Sequence, residues 1–464
     1  MSSRPLSPID AAWYRMDRPN NPAVITGLLR LDGSVDRDTV LRIFEKRLLP
    51  FERFRCRVVE RGWPWTLPYW EPDPHFDLRA HVHERGLSGS GRDALLALVG
   101  DLASEPLVPD RPPWNAFVVD EGDGGTSLVV RFHHCMADGT GTIALADHLL
   151  DPTGTDAPAG APGPRPSTLP PSASVAGRAT RALGTGLRSG LEHLGSPLES
   201  LRQCPSLAEA LGTAVKDVLQ PPDPPSPLRG ALTGRQRLAY TEPLPLAAIK
   251  AVGAPVDATV NDVLLAALTG AVRHYLLDRA PGGALPPLRA IVPVDQRPAE
   301  RALELGNAFG LTFLSLPVDE RSPGARLRAT KRNMDALKRS PEAPVFLNIL
   351  RLFGQLPRVA EDAAASLFAS KASMVMTNVA GPADRRTLGD HPVDDIVFWV
   401  PHPVSLGIGM SILSYAGRVT VGVMTDVGVV STPSTLTDRF RAEFEALQSC
   451  VRDGIGAAQS SANR

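Results

Sequence analysis

The 464-residue sequence predicts an α/β (α+β) protein of two domains, each built around a mixed sheet. Three observations predict this class. The length exceeds one ordinary core and fits two domains of about 150–220 residues. Short runs rich in β-branched residues alternate with apolar residues at helical spacing in both halves of the chain. Between the halves, residues 151–172 consist mostly of Pro, Ala, Gly, Ser and Thr, which indicates a linker.

We therefore divide the chain into four segments. They are a domain at 1–150, a Pro/Gly-rich linker with crossover helices at 151–234, a second domain at 235–455 and a disordered tail at 456–464. Residues 175–219 of the linker carry apolar residues on one stripe and arginines opposite. For this stretch we favour a crossover helix packed on the first domain over an amphipathic segment that faces a membrane or lipid droplet.

The first domain begins with a helix, because Ser7, Pro8 and Asp10 are typical of a helix start with Ser7 as its cap. Further elements follow in the order β, α, β, β, α, β, β, α. Their predicted ranges are 24–31, 40–49, 53–59, 75–83, 92–102, 117–119, 127–132 and 140–150. The glycine-rich residues 121–125 join the last two strands as a hairpin, and the Pro- and Trp-rich residues 63–70 are predicted to form a loop.

The second domain repeats this alternation without a sequence repeat. Its predicted strands lie at 236–241, 288–294, 311–316, 373–377, 397–400, 406–415 and 419–425, and its predicted helices at 244–252, 259–276, 326–337, 344–352 and 436–451. The helix that starts at Thr259 is nearly all apolar, so we expect it to be buried. The last two strands are expected to form a hairpin at Ala416 and Gly417.

Composition and charge exclude several classes of protein. A hydrophobic fraction of 43% and a charged fraction of 21% are those of a soluble globular protein. The net charge of -1 provides no overall positive field that would attract nucleic acid or an anionic membrane. The cysteines, at 56, 135, 204 and 450, show no disulfide or metal spacing and favour a reduced, cytoplasmic compartment. No apolar run reaches about 18 residues and the N-terminus lacks a signal-peptide core, so we expect no transmembrane segment and at most peripheral membrane contact.

The candidate catalytic motif lies between the predicted strand 127–132 and the predicted helix 140–150. It contains His133, His134, Asp138 and Gly139 in the pattern H-H-x-x-x-D-G. A strand fixes an imidazole in place, the turn after the strand exposes the ring, and a glycine lets a substrate approach. This combination of residues in a strand–turn–helix context favours a general base.

Each residue of this motif also has a purely structural interpretation. A histidine at a strand end is usually a satisfied polar residue, Asp138 could cap the following helix, and Gly139 could serve backbone geometry alone. A metal site is disfavoured because the i, i+4 histidine pair of zinc-binding helices is absent. A Cys135 nucleophile is disfavoured because neighbouring residues of an extended segment point to opposite faces.

The pattern H-H-x-x-x-D-G resembles the active-site motif of the CoA-dependent acyltransferase superfamily, which includes chloramphenicol acetyltransferase-like enzymes and peptide-synthetase condensation domains. Flanking segments narrow the resemblance to the bacterial wax ester synthase/diacylglycerol acyltransferase family. They are L-S-P-I-D at 6–10, R-P-P-W at 111–114, N-D at 261–262, P-V-D-Q-R at 293–297, G-N at 306–307 and T-N-V-A-G-P at 377–382. These segments span nearly the whole chain in the order that the family has them. The chain departs from the family pattern at Pro113, Asn115, Thr377 and Ala380, and the changes at Pro113, Asn115 and Ala380 bear on the choice of acceptor.

The resemblance implies two chloramphenicol acetyltransferase-like domains with mixed sheets and an active-site tunnel at their interface. It implies that His134 is the general base and His133 a structural neighbour. Asp138 would hold local geometry through an ion pair, with Arg297 as one candidate partner. The remaining positions carried over are substrate-binding at Gly139, Asn261, Trp114 and Asn378, and structural at Asp262. No metal site is implied.

The resemblance further implies an O-acyltransferase that moves a long-chain acyl group from acyl-CoA to a fatty alcohol or diacylglycerol, in wax ester or triacylglycerol synthesis. A thioester has a good leaving group, so a base, oxyanion donors and positioning suffice without an acyl-enzyme. Acyl-CoA is then a co-substrate, and no cofactor is expected. Two alternatives stay open. One is an acyltransferase or condensation enzyme that esterifies or amidates a specialised metabolite from acyl-CoA or a carrier protein, and the other is a non-catalytic acyl-binding paralogue.

Overall fold

The computed structural model describes residues 3–62, 66–122, 124–153, 220–279, 285–297 and 304–462, with side chains to residue 452. Most of the predicted linker, including the stretch 175–219, lies outside the described residues. Within them, strands and helices alternate in both halves of the chain, as the apolar periodicity predicts.

The strands are short and rich in β-branched and aromatic residues, which suit a pleated, buried surface. In the described residues they are β1 (Arg4–Pro5), β2 (Val24–Leu31), β3 (Cys56–Val59), β4 (Tyr69–Pro72), β5 (Val82–Gly86), β6 (Trp114–Asp120), β7 (Thr126–His133), β8 (Asp151–Pro152), β9 (Gln236–Tyr240), β10 (Leu244–Pro245), β11 (Leu288–Asp295), β12 (Phe309–Leu316), β13 (Met374–Ala380), β14 (Arg386–Leu388), β15 (His391–Trp399), β16 (Ile408–Tyr415) and β17 (Arg418–Asp426).

Several helices begin at a side chain that satisfies an otherwise unpaired N–H of the first turn. Ser7 accepts from the Asp10 N–H, as the sequence predicts, and Asp36 accepts from the Thr39 N–H. The helices of the described residues are α1 (Pro8–Arg15), α2 (Arg37–Arg47), α3 (Gly91–Ser104), α4 (Gly139–Leu149), α5 (Leu246–Gly253), α6 (Val260–Arg279), α7 (Pro323–Arg339), α8 (Glu342–Phe353), α9 (Arg358–Ala369) and α10 (Ser434–Ala462).

The first sheet has the strand order β5-β6-β7-β2-β15-β14-β8. Its β5 and β6 are parallel, whereas its other neighbours are antiparallel, so the sheet is mixed. Strand β7 lies inside the sheet, with Val130 opposite Gly27 of β2 on one side and opposite Ala116 of β6 on the other. The motif that follows β7 is therefore carried by a strand that is hydrogen-bonded along both edges.

Two strands of the first sheet come from the region assigned to the second domain. Strand β15 pairs with β2, and β14 pairs with β8. The predicted boundary at residue 235 therefore does not separate the two sheets. Apolar spacing near 397–400 indicates a strand but carries no information about the strand that it pairs with, which long-range packing decides.

The second sheet has the order β10-β17-β16-β13-β11-β12, and β9 also pairs with β17. Strand β13 is parallel to both β11 and β16, while β11 and β12 are antiparallel. This sheet is mixed as well, so the predicted α/β class with two mixed sheets is confirmed. A small sheet of order β1-β4-β3 lies beside them.

Alternation along β13 separates a core from a cavity. Met374 and Met376 point into the core formed with α6 and α10, whereas Val375 and Thr377 line a cavity on the opposite face. That opposite face contributes to a second core, which also contains Ile25 of the first sheet. The candidate site lies where this second core joins the two sheets.

Most predicted elements are confirmed within a few residues, and the β16–β17 hairpin turns at Ala416 (φ 48°) and Gly417 (φ 72°) as expected. The strand predicted from residue 53 instead starts as a 3-10 helix over Glu52–Arg55, and part of the predicted loop 63–70 belongs to β4. Helix α10 continues through most of the predicted tail 456–464, where alanine and glutamine favour helix.

Helix α9 is absent from the sequence prediction. Among the described residues no single helix is long and apolar enough to span a membrane, and the bent pair Leu246–Val256 and Val260–Arg279 (93°) meets that requirement only in combination.

Candidate active site

Strand β7 and the turn after it position the two histidines. At the end of the strand the His133 N–H donates to the Pro113 carbonyl (2.9 Å), and the His134 N–H donates to the Ala23 carbonyl (2.8 Å). The chain then reverses, with the Met136 N–H bonded to the His133 carbonyl (2.9 Å). These bonds fix the backbone of both histidines before α4 begins.

The His134 ring is held between aromatic side chains. It is 7% exposed, stacks on the Trp13 indole (3.9 Å between ring centroids, 9° between planes) and lies 5.7 Å from the Phe309 ring. Burial lowers the pKa of His134 to about 4, and the Asp138 carboxylate opposes this shift. The imidazole is therefore neutral near pH 7, the state in which it can accept a proton.

The Asn307 side chain determines which ring nitrogen of His134 carries the hydrogen. Its amide nitrogen donates to the Asp10 carboxylate (2.8 Å) and to the His134 carbonyl (2.8 Å), both of which are acceptors. The amide oxygen therefore faces Nδ1 of His134, at 3.0 Å. Because this oxygen can only accept, Nδ1 carries the hydrogen and Nε2 keeps its lone pair.

A buried carboxylate and an arginine hold Asn307 in this orientation. Asp10 is 1% exposed and also accepts from the Asn307 backbone N–H (3.0 Å) and from Arg53 Nη2 (3.1 Å). Arg53 Nη1 donates to two carbonyl oxygens of the turn that follows His134 (3.2 and 3.0 Å). Gly306 has φ +119°, and a Cβ there would lie 3.0 Å from Arg53 Nη2, so glycine is required before Asn307.

The His133 side chain stabilises the turn that follows β7. Its Nδ1 accepts from the Cys135 N–H (3.1 Å), so the ring hydrogen is on Nε2, which makes no hydrogen bond within the described residues. Burial lowers the pKa of His133 to about 4. Burial also raises the pKa of the Cys135 thiol well above its ordinary value, which opposes a nucleophilic role. No three His, Cys, Asp or Glu side chains of the described chain are grouped so that they could hold a metal ion.

Asp138 joins this turn to the second half of the chain. Its two carboxylate oxygens accept from Arg297 at 3.1 and 2.8 Å, and both side chains are 4% exposed. The carboxylate also accepts from the Ala308 N–H (2.9 Å) and, as the cap of α4, from the Gly141 N–H (2.8 Å). The ion pair with Arg297 and the helix cap, which the sequence offers as separate interpretations, therefore occur together.

Gly139 and Asn378 both line the cavity. A Cβ at Gly139 would lie 3.1 Å from Val379 Cγ2, so glycine lets α4 approach β13 closely. The Asn378 amide donates to Asn261 Oδ1 at the start of α6 (3.2 Å). Asn261 thus reaches the edge of the cavity through Asn378.

Trp114 and Asp262 belong to the framework. Trp114 does not line this cavity, and its substrate-binding role stays a prediction. It is 2% exposed, its indole N–H donates to the Phe54 carbonyl (2.9 Å), and its ring stacks on His81 (4.6 Å). These contacts are those of a large aromatic residue stabilised by core packing. Asp262 accepts from the Thr259 N–H (2.8 Å) and donates its own N–H to Thr259 Oγ1 (3.3 Å), which is a capping box.

An apolar cavity opens beside His134 between the two sheets. Its volume is about 90 Å³, and the open space around its mouth extends this to about 730 Å³. Its apolar lining residues are Trp13, Ile25, Ile291, Pro293, Phe309, Leu311, Val375, Val379, Val400, Pro401 and Pro403. Such a wall favours an alkyl chain, because each Å² of apolar surface removed from water contributes about 25 cal/mol.

Thr377 brings a hydroxyl group to the same cavity. The residue is 7% exposed and lies on β13, where alternation places it on the cavity face between Val375 and Val379. Its hydroxyl makes no hydrogen bond to another residue in the described part of the chain. A hydroxyl of this kind beside a neutral imidazole can donate to an oxyanion that forms during a reaction.

Sequence reasoning missed Asp10, Trp13, Asn307 and Thr377 as site residues. Asp10 is interpreted from the sequence only as a first-turn residue of α1, and Asn307 and Thr377 occur there only as parts of short family-like segments. Their contacts depend on the fold, since 297 positions separate Asp10 from Asn307. No local pattern indicates that these two side chains meet.

Two family models match the chain. One, described as the wax ester synthase/diacylglycerol acyltransferase catalytic domain, matches residues 6–264. The other, described as the WS/DGAT C-terminal domain, matches residues 305–448. Together they cover most of both sheets.

The chain is also similar to proteins of Mycobacterium tuberculosis over nearly its full length. A putative diacylglycerol O-acyltransferase is 29% identical over 466 residues, with 97% of this chain and 98% of that protein covered. A probable diacylglycerol O-acyltransferase is 28% identical over 454 residues, with 93% of each chain covered.

Two solved structures show the same fold. The wax ester synthase/diacylglycerol acyltransferase from Marinobacter aquaeolei VT8 matches with a TM-score of 0.66 at 22% identity, covering 97% of this chain and 100% of that one. The first condensation domain of the calcium-dependent antibiotic synthetase matches with a TM-score of 0.61 at 14% identity, covering 97% of each. At these identities the likeness establishes the fold, and it confirms the predicted acyltransferase-like architecture.

Proposed function

The chain belongs to the wax ester synthase/diacylglycerol acyltransferase family and is an acyltransferase, and on this premise we propose that His134 is its general base. The proposed reaction moves a long-chain acyl group from acyl-CoA to the hydroxyl of a fatty alcohol or diacylglycerol. One observation carries the proposal. A neutral imidazole with Nδ1 bonded to Asn307, and with Nε2 free, adjoins an apolar cavity.

The first step is attack of the acceptor on the thioester. Nε2 of His134 takes the hydroxyl proton while the alcohol oxygen forms a bond to the carbonyl carbon, which leaves a negative charge on the carbonyl oxygen. The imidazolium formed in this step keeps its Nδ1–H bond to Asn307. That bond and the negative charge of Asp138 favour the protonated ring. The stacked Trp13 indole adds a cation–π contribution.

The second step releases CoA. The oxyanion collapses, the carbon–sulfur bond breaks, and the thiolate receives the proton from Nε2. His134 returns to its neutral state, and the ester leaves without an acyl-enzyme.

Thr377 is the proposed oxyanion donor. Its hydroxyl lines the cavity with His134 and has no hydrogen-bond partner in the described residues that would compete for its hydrogen. A preorganised donor at this position stabilises the charge that develops on the carbonyl oxygen. Asn378, held by Asn261, and Gly139 are the proposed substrate-binding residues at the mouth of the cavity.

The ion pair of Asp138 with Arg297 has a positioning role in this proposal. It ties the turn that carries His134 to the loop that carries Asn307, since Arg297 also donates to the Gly306 carbonyl (2.9 Å). Orientation of the base and binding of the acyl chain therefore depend on the same ion pair between the sheets.

The apolar lining supports a lipid acceptor over a polar specialised metabolite. An acceptor of this kind resides in a membrane or lipid droplet, so we further propose that the protein works in peripheral contact with a lipid surface. Acyl-CoA is the proposed co-substrate.

The test is thiol release from a long-chain acyl-CoA, measured with separate acceptors. The panel contains hexadecanol, diacylglycerol, a short alcohol and an amine. We expect release that requires hexadecanol or diacylglycerol and that disappears in His134→Ala. Release with the amine alone would establish a specialised-metabolite enzyme instead, and the absence of release with every acceptor would establish an acyl-binding protein.

A further inference from the structure

Helices α8 and α9 form a hairpin with an unusually apolar outer side. In the described part of the chain four large apolar side chains are exposed, namely Val108 (57%), Leu352 (54%), Val359 (83%) and Leu367 (45%). Three of them lie on this hairpin, with Leu352 in the last turn of α8 and Val359 in the first turn of α9. Exposed apolar residues that cluster in this way mark an interaction surface.

The exposed face of α9 lacks the charges that a water-facing helix carries. Its exposed residues after Arg358 are Val359, Ala360, Ala363, Ser366 and Leu367. Of the two acidic residues of the helix, Glu361 is buried, and the Asp362 side chain is 41% exposed with its charge paired to Arg18. A helix with an uncharged outer face is suited to contact with an apolar medium.

The inner side of the hairpin adjoins the apolar cavity. Phe368 of α9 packs against Phe346 (4.8 Å between ring centroids) and Phe353 (5.5 Å) of α8, and Phe346 packs against Phe313 of β12 (6.0 Å). Phe313 lies four residues along the same strand from Phe309, which lines the cavity next to His134. One layer of aromatic side chains thus separates the outer face from the cavity.

Helix α1 fixes the hairpin relative to the base. Arg15 Nη1 donates to the Gly354 (3.4 Å) and Leu356 (3.1 Å) carbonyls in the hairpin turn. A Cβ at Gly354 would lie 1.6 Å from the Pro8 carbonyl oxygen, so the turn touches the start of α1. The same helix carries Trp13, which stacks on His134, so a surface bound by the hairpin lies at a defined position relative to the base.

We propose that the outer face of this hairpin, formed by Leu352, Val359 and Leu367, docks on a phospholipid surface. The inference rests on the proposed lipid acceptor, which has to be drawn from such a surface. Arg351 and Arg358 are the sequence neighbours of Leu352 and Val359. Arg351 donates to Asn348 Oδ1 (3.1 Å), and the Arg358 side chain is 58% exposed and lies 4.0 Å from the Glu60 carboxylate. A guanidinium group beside an exposed apolar side chain matches a lipid phosphate above acyl chains.

Vesicle flotation with the full-length protein tests the docking directly. Vesicles of phosphatidylcholine with diacylglycerol are mixed with the wild type, with the triple variant Leu352→Ser/Val359→Ser/Leu367→Ser, and with Val108→Ser. We expect the wild type and Val108→Ser to float equally, since Val108 is as exposed as Leu352 but lies on another surface. The triple variant should lose about tenfold or more in vesicle partition, because three apolar side chains that would be buried in the bilayer are removed.

A second assay separates docking from catalysis. Thiol release from a short acyl-CoA with a dissolved short alcohol should be unchanged in the triple variant, whereas release with diacylglycerol held in vesicles should fall with the partition. Normal flotation of the triple variant, or no flotation of the wild type, would overturn the docking. Sedimentation that shows a wild-type dimer and a monomeric triple variant would overturn it too, by assigning the face to a second copy. Normal flotation of the wild type without thiol release would reject the proposed function and leave the docking standing.

Discussion

The two sheets contribute differently to the candidate site. The first sheet supplies the imidazole at the end of β7, whereas the second sheet and its loops supply Asn307, Arg297 and Thr377. The two neighbouring histidines show the effect of these different contributions. Both rings are buried with a pKa near 4, yet Nδ1 of His134 donates across the interface and Nδ1 of His133 accepts from the adjacent turn. The partner across the interface therefore sets the chemical role of a histidine.

The largest expected effect comes from removing the base itself. His134→Ala should lower kcat by about 100- to 10,000-fold, because proton transfer by a positioned base contributes on that order. His133→Ala should retain most of kcat and instead lower the melting temperature, since the Cys135 N–H loses its acceptor. Thiol release and thermal unfolding of both variants check this contrast. Equal loss of kcat in the two variants would remove the distinction between the histidines.

The second sheet contributes the next effect through Thr377. Thr377→Val keeps the shape of the side chain and removes the hydroxyl, so kcat should fall by about 100- to 1,000-fold, as for a lost oxyanion donor. Thr377→Ser keeps the hydroxyl and should recover most of that loss. Steady-state kinetics of the pair check this role. A Val variant with kcat close to that of the wild type would show that the oxyanion is stabilised by another group.

Asn307 should matter less for the rate and more for the state of the ring. In Asn307→Leu the Nδ1 hydrogen has no acceptor, so the ring can place its hydrogen on Nε2, where it blocks the base. We expect kcat to fall on the order of 10- to 100-fold with little change in KM. Nitrogen NMR of His134 should report hydrogen on Nδ1 in the wild type and on Nε2 in the variant. The same tautomer in both proteins would contradict the role assigned to Asn307.

The same division of labour explains what the sequence predicts well. The base, its neighbour and the cap of α4 lie within six consecutive residues, so the strand–turn–helix pattern around His134 predicts them together. The Asn307 contact and the pairing of β15 with β2 are set by distances between remote segments, which no short pattern contains. The burial of Trp114 also depends on the fold, since an aromatic residue looks the same in sequence whether it lines a cavity or fills a core.

The ion pair of Asp138 with Arg297 should affect the stability of the protein more than its reaction rate. Arg297→Met leaves the Asp138 carboxylate buried without its cation, so the free energy of unfolding should fall by about 3–5 kcal/mol. The double variant Arg297→Met/Asp138→Asn removes the buried charge as well and should recover part of that loss. Urea unfolding of the three proteins measures both changes. No difference between the wild type and Arg297→Met would mean that the pair does not hold the sheets together.

The last expected effect is on the pH dependence of stability. Burial lowers the pKa of His133, His134 and His402 to about 4, below their ordinary value of 6.5, so between these values the unfolded chain binds protons that the folded chain does not. The stability that this difference contributes is present above pH 6.5 and is lost as the pH falls toward 4, by up to about 1.4 kcal/mol per pH unit for each histidine.

Urea unfolding at pH 7, 6 and 5 measures how the free energy of unfolding changes with pH. His134→Ala should make this change smaller by the contribution of one histidine. Activity should follow a different course, because His134 stays neutral in the folded protein down to about pH 4. The rate should therefore hold through pH 6 and 5 while the stability declines. A rate that halves near pH 6.5 in a fully folded sample would mean that His134 titrates as a solvent-exposed ring, and that burial between the two sheets does not set its protonation.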